Sequence, residues 1–396
     1  LMTNCYDFTS ILNPVLKFQM AYQLEQNWDW ANVQYSLDGA LSWSNLGSIN
    51  SQPNWYNSDR PDAGDCPGCP GAQWTGANTT MTEYAYDFTA NAALGETDLT
   101  TADNIVFRMT LHSDSVITEE GIILDDFVVE GAIPPSVVLN PKVFLQGMAI
   151  NPNVGEEALM RDDLRVANRI PNNSPYTDNI SCDSAVFNTT GADAIIDWIW
   201  VELREAASNT VTRIGQSALL QRDGDIVGSD GQSNLRFVVP HGDYYIVVKH
   251  RNHLGVMTSS TMSLSDVVAS VDFTDANSPV TYGTDAQTSF GMASGVLGMW
   301  AGDTNGDGRL NYLGALSDVP AIRSQVFNDP NNSVFGGPPV ATYQSQGYHV
   351  TDVNIDGATI YTGALSDVLF VRDNIFNNPS NSVFGGPPVA TYIFIQ

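Results

Sequence analysis

The chain repeats itself near its C-terminal end. Asp303-Thr304-Asn305-Gly306-Asp307-Gly308 returns 49 residues later as Asp352-Val353-Asn354-Ile355-Asp356-Gly357. Between Asp303–Tyr343 and Asp352–Tyr392, 27 of 41 aligned positions are identical, and the run from Asn332 to Tyr343 recurs unchanged from Asn381 to Tyr392. Each copy opens with oxygen-bearing side chains at alternate positions, followed by a glycine. Acids at positions 1, 3 and 5 of such a loop point at one cation, and the glycine permits the sharp turn that brings them together. This pattern argues for an extracellular, non-catalytic protein stiffened by calcium (Ca2+).

The charge balance agrees. Sixteen Lys and Arg stand against 44 Asp and Glu, a net charge of −28, so nucleic acid and anionic membrane are repelled and divalent cations attracted. No run of 18 apolar residues exists, so no membrane insertion is expected. No basic start leads into an apolar stretch, so no secretory leader is expected, and both ends read as cuts within strands of something longer. Of the four cysteines, Cys66 and Cys69 flank a Pro-Gly turn; the spacing favours a disulfide within that pair, or from one of them to Cys5, over a redox site or zinc, with Cys182 unpaired.

An all-β fold of sandwiches is expected, with a small calcium-loop module at the C-terminal end. Residues 1–132 show period-2 strands at Val15–Tyr22, Asn32–Ser36, Tyr84–Phe88, Ile105–Leu111 and Ile122–Val129, separated by Gly, Asn, Asp and Pro turns. Ala132–Ser136, with two prolines, reads as a linker. Residues 137–298 give a second sandwich with strands at Ala194–Leu203, Ser217–Gln221, Asn234–Val239 and Tyr244–Val248, and a short helix over Glu156–Asn168. Residues 299–396 hold the two loops.

Three resemblances follow from these residues. Val33–Gly39 with Ser42-Trp43 and Leu46-Gly47, then Trp74–Gly76, Phe107–Asp114 and Gly121–Val129, resemble the MAM-like jelly-roll modules of bacterial secreted proteins, which also accompany immune-inhibitor-A-type peptidases. The usual first strand of such modules is missing. Asp197–Arg204, Ser217–Val227, Tyr244–Met257 and Met299–Gly308 resemble a block near the C-terminus of large Bacteroidetes surface proteins exported by the type IX system, here with an Ig-like or transthyretin-like sandwich. That likeness implies a cell-surface or secreted multidomain adhesin and brings no enzymatic activity. The acidic loops resemble those of dockerins and EF-hands.

The loop ligands expected are Asp303, Asn305, Asp307 and the Arg309 carbonyl in the first copy, and Asp352, Asn354, Asp356 and the Ala358 carbonyl in the second. Position 12, where those families place an acid, is Gly314 or Gly363. The next acids are Asp318 and Asp367 at position 16, which either return to the ion or cap the helix that follows.

Other features carry competing readings. Gln26–Trp30 with Asp125 and Asp126 offers a further calcium site or merely turn-forming acids. Trp28, Trp30 and Trp55 sit in loop-like sequence and suit stacking on sugars, whereas Trp43 and Trp74 fit the core pattern. Lys249-His250-Arg251-Asn252-His253 either grips a sulfate, carboxylate or anionic glycan or serves structure, pairing with some of the many acids. The five histidines show no zinc-hydrolase spacing, and no nucleophile elbow, P-loop or dinucleotide fingerprint occurs. The expected partners are other copies, as a homo-oligomer or filament, and cell-surface glycans. The repeated tails Val334–Tyr343 and Val383–Tyr392 are candidate packing surfaces. The competing function is a glycan-binding accessory region of a secreted hydrolase or peptidase.

Overall fold

The computed structural model describes residues 2–9, 11–64, 66–333, 337–381, 388–389 and 393–395. The fold is all-β, with strands packed as sandwiches and five short α-helices among the described residues. The chain divides into two compact units, Leu1–Pro134 and Pro135–Gln396. The second sandwich and the acidic repeats share the second unit.

In the first unit a four-stranded sheet runs Pro53–Asn54, Ala77–Asp87, Leu12–Gln23, Gly121–Ala132, and a three-stranded sheet runs Ser44–Asn45, Trp30–Ser36, Val106–His112. Alternation places Leu16, Phe18 and Met20 in the core while Lys17 and Gln19 point away from it. Trp55 and Trp74 belong to that core. Trp74 lies 4.4 Å from Tyr56 and 5.2 Å from Trp55 between ring centroids, and each indole N–H is consumed by a backbone carbonyl. Trp55, only 4% exposed, is therefore no sugar platform; its loop-like sequence context hid a buried hydrogen-bond acceptor at Leu46. Trp43 is half-buried, under the Arg108 guanidinium at 4.2 Å. Cys66 and Cys69 are disulfide-bonded, and Cys5 and Cys182 are free.

In the second unit six strands form one sheet, along the path Ile226–Val227, Thr212–Gln221, Ile195–Glu205, Gly242–His250, His253–Met257, with Met262–Leu264 also on Gly242–His250. A three-stranded sheet, Leu235–Phe237, Val137–Lys142, Ala269–Asp272, completes the sandwich. Its core draws on Trp198, Val201, Leu203, Ile246 and Val248. The helix expected over Glu156–Asn168 is a single turn, Asp163–Val166. Upstream of it the backbone donors bond elsewhere, Met160 N–H to Arg222 O and Arg161 N–H to Met148 O, which removes the i→i−4 ladder a helix requires.

The repeats interlock. Each loop runs into a three-residue strand, Arg309–Asn311 or Ala358–Ile360, then a turn, then a helix, Val319–Phe327 or Asp367–Asn377. The strand after the first tail, Gln344–Gln346, pairs with the strand of loop two, and Ile393–Ile395 pairs with the strand of loop one. In each copy one asparagine, Asn332 or Asn381, ties the helix end to the tail through three equivalent hydrogen bonds, so the repetition extends to atoms. Of the two tails, residues 334–336, 383–387 and 390–392 lie outside the described residues, and Val340 and Val389 are exposed.

Candidate metal centres

Both loops are built by the same chain of side-chain-to-backbone hydrogen bonds. In loop one Asp303 accepts from Asp307 N–H (3.1 Å) and Gly308 N–H (3.0 Å), Asn305 accepts from Asp307 N–H (3.0 Å), and Asp307 accepts from Arg309 N–H (3.0 Å). In loop two Asp352 accepts from Asp356 N–H (3.1 Å) and Gly357 N–H (2.8 Å), Asn354 from Asp356 N–H (3.2 Å), and Asp356 from Ala358 N–H (3.0 Å). Short acidic side chains that bond their own backbone two residues on wind the chain around the first carboxylate. Gly308 and Gly357 take positive φ, 75° and 93°, where a β-carbon would be opposed. Arg309 and Ala358 begin the short strands at the loop exits.

The position-16 acids return to their loops. Asp318 accepts from Thr304 N–H (2.9 Å) and Asn311 N–H (2.8 Å); Asp367 accepts from Val353 N–H (2.6 Å) and Ile360 N–H (2.7 Å). Asp318 occupies the cap position of its helix but makes no capping bond, and Asp367 leaves capping to Ser366, which accepts from Leu369 N–H. Thus the side chains face loop rather than helix. Each loop gathers oxygen donors without sulfur or imidazole, the donor set that suits a hard cation such as calcium.

The electrostatics ask for positive charge. Burial, aided by nearby Asp303, pushes Asp318 up to about 7. Burial together with Asp356 pushes Asp352 up to about 7, and burial with Asp352 raises Asp367 well above the carboxylate range. Asp303 is likewise raised by burial. Like charges held in a desolvated loop destabilise one another unless a proton or a cation neutralises them.

The loops differ in their surroundings. Asn305, Gly306, Asp307 and Gly308 are exposed, whereas every residue from Asp352 to Ile360 is buried or half-buried. Around loop two, the Asp352 carbonyl accepts from the Asn252 side chain (2.6 Å), the Asn354 carbonyl from Arg161 (2.7 Å) and the Gly357 carbonyl from Arg169. Gly147 N–H donates to His253 Nε2 (3.1 Å), and a β-carbon at Gly147 would stand 2.4 Å from the Val353 carbonyl, so the close approach requires glycine. Ile355 holds φ at 52°, unfavourable for a β-branched residue, and places its side chain in the sandwich core, fully buried. Sequence reasoning missed these anchors. The signal was there: loop two carries Val353 and Ile355 where loop one carries Thr304 and Gly306.

The basic run resolves into two parts. Arg251 pairs with Asp197 (2.9 Å) and donates to the His349 carbonyl (2.7 Å), which ties the sandwich to the segment ahead of loop two. Burial disfavours a charged Asp197, but Arg251, His250 and Tyr348 outweigh it and hold the carboxyl down at about 2. His250 and His253 are buried against each other (3.1 Å between Nδ1 atoms), and burial lowers both pKa values, so they stand neutral. Only Lys249 points outward, onto Glu202 (2.6 Å).

In the first unit Asp29 is joined by Glu25 and Asp114, with oxygens within 4.8 Å of one another. Asp125 and Asp126, expected beside it, lie exposed on the strand that pairs with Leu12–Gln23 instead. Among the described residues this is the trio of acids drawn that close, and the acids of each loop stand wider apart. Trp28 and Trp30 are half-buried, with Trp30 stacked on His112 at 5.1 Å.

No protein-family model matches this sequence, and no curated protein matches it. The fold and loops define a class: an all-β, strongly acidic chain with a pair of oxygen-rich loops interlocked at one end.

Proposed function

We propose that this chain is a non-enzymatic structural and adhesive segment of a secreted cell-surface protein, rigidified by calcium at its two C-terminal loops. The carrying observation is the set of buried acids, Asp303, Asp318, Asp352 and Asp367, held around two turns of identical hydrogen bonding. Asp303, Asn305, Asp307 and Asp318 would hold one ion, and Asp352, Asn354, Asp356 and Asp367 the other, with the Arg309 and Ala358 carbonyls completing each set. The ion supplies the charge that lets these carboxylates stay ionised within the fold. Export by a type IX system, and association into an oligomer or filament, belong to the same reading and rest on the sequence resemblances.

The test compares Asp307→Ala with Asp356→Ala combined against the native chain, in calcium and in chelator. The double variant should melt lower in calcium and unchanged in chelator. An equal loss in both conditions refutes the metal role.

A glycan-binding role is the second reading. It is favoured by the outward Lys249 beside Arg204, two cations on a sheet face in an otherwise acidic chain.

A further inference from the structure

Strand alternation separates two faces on Ile195–Glu205. Val201 and Leu203 enter the core, and Trp200, Glu202 and Arg204 stand on the other face. Across the ladder Lys249 registers with Trp200, and Val247 with Glu202. Glu202 is only 6% exposed there and accepts from Lys249 (2.6 Å), Trp200 Nε1 (3.0 Å), Arg204 (3.2 Å) and Thr212 Oγ1 (3.3 Å). One carboxylate therefore serves two cations, and the patch keeps a positive excess. The Lys249 side chain remains 43% exposed.

This patch lines a cleft of about 730 Å³. Met257 and Tyr282 also line it, and Tyr282 is 53% exposed. Asp303, Gly306, Asp307 and Gly308 of loop one line it too. The cleft thus joins a basic sheet face, an open aromatic ring and the exposed rim of the candidate metal loop. Calcium takes six to eight oxygens; with one oxygen from each carboxylate, the five groups of loop one leave positions that outside oxygens reach across its exposed rim. Loop two opens elsewhere: Asn354 and Asp356 line a separate cavity of about 420 Å³ with Arg161, Phe290 and Leu365, which lacks the Lys249–Arg204 face.

We propose that this cleft binds a short carboxylated saccharide. The sugar carboxylate meets Lys249 and Arg204, the ring lies on Tyr282 and Met257, and ring hydroxyls reach the ion of loop one. The inference rests on the calcium reading of loop one. The net charge of −28 repels long polyanions, which favours a ligand with few charges, and charge-assisted hydrogen bonds supply the selectivity.

The experiment is calorimetric binding of trigalacturonate to the full chain in millimolar calcium, beside its methyl ester and beside chelator, with calcium uptake titrated separately. Binding should appear in calcium and weaken about tenfold or more for the ester, for Lys249→Gln and for Tyr282→Ala, the scale of one charge-assisted hydrogen bond or one ring contact. Because Tyr282 is half exposed, its variant should melt like the native chain. Calcium uptake without trigalacturonate binding, or binding equal for acid and ester, overturns the cleft while leaving the calcium reading intact. Absence of calcium uptake overturns both. Binding unchanged in chelator removes loop one from the site.

Discussion

Loop one and loop two share the spacing of their ligands, the same hydrogen-bonded turns and a returning acid, yet one faces solvent and the other is built into a sandwich. Loop one leaves Asn305 to Gly308 exposed. Loop two gives three backbone carbonyls to Asn252, Arg161 and Arg169 and one apolar side chain, Ile355, to the core. The lesson is that a repeated binding motif does not imply a repeated role. The residues between the ligands set the role: exposed Gly306 leaves loop one open, while Ile355, at the equivalent place, commits loop two to structure. An ion in loop two would hold the repeats on the sandwich, and an ion in loop one would face the outside.

The comparison breaks most severely at the Arg251–Asp197 pair, which ties the sandwich to the segment ahead of loop two. Arg251→Met leaves a buried carboxylate without its main partner and should destabilise the second unit by about 3–5 kcal/mol, in calcium and chelator alike. Denaturant melts measure it; a loss confined to calcium would tie this pair to the metal instead.

A smaller effect separates the two loops directly. Ile355→Ala removes a fully buried side chain and should lose about 2–4 kcal/mol, lessened by no relief of its positive φ. Gly306→Ala, at the equivalent place, meets no neighbour within 4 Å and should lose only about 1–2 kcal/mol, from its φ of 71°. Equal losses would contradict the proposed division.

Much of this was legible in the sequence. The repeat, the ligand positions, the all-β class and most strand centres follow from alternation and spacing, which depend on neighbours along the chain. What was hidden depends on residues far apart. Trp55 reads as a loop aromatic until Leu46 and Trp74 close over it. Asp29 reads toward Asp125, whereas the fold brings Asp114 to it. The helical pattern of Glu156–Asn168 gives way because Arg222 and Met148 claim its backbone donors. The basic run 249–253 looks like a surface cluster, but a strand end and tight turn bury three of its members against Asp197 and loop two.

The smallest effect is in pH. Asp318 and Asp352 stand at about 7 in the metal-free fold against an ordinary 3.8. The folded chain therefore holds these protons more tightly than the unfolded one. Their contribution favours folding fully below pH 3.8 and is lost as pH rises through 7. Asp197, held at about 2, acts in the opposite sense and only between about 4 and 2, outside this window. Buried, neutral His250 and His253 oppose this slope below their ordinary 6.5, so metal-free melting temperature should fall modestly from about pH 6.5 to about pH 8, and calcium should flatten or reverse that slope because protons compete with the ion. A metal-free melting temperature that rises across this range would contradict the burial of these acids.

The most direct test is calcium titration of the metal-free chain by calorimetry, repeated on Asp303→Ala and Asp352→Ala. The account predicts two ions on the native chain and one on each variant. It predicts a large calcium-dependent rise in melting temperature that survives in Asp303→Ala and is lost in Asp352→Ala. No calcium uptake, or uptake that both variants retain in full, would contradict it.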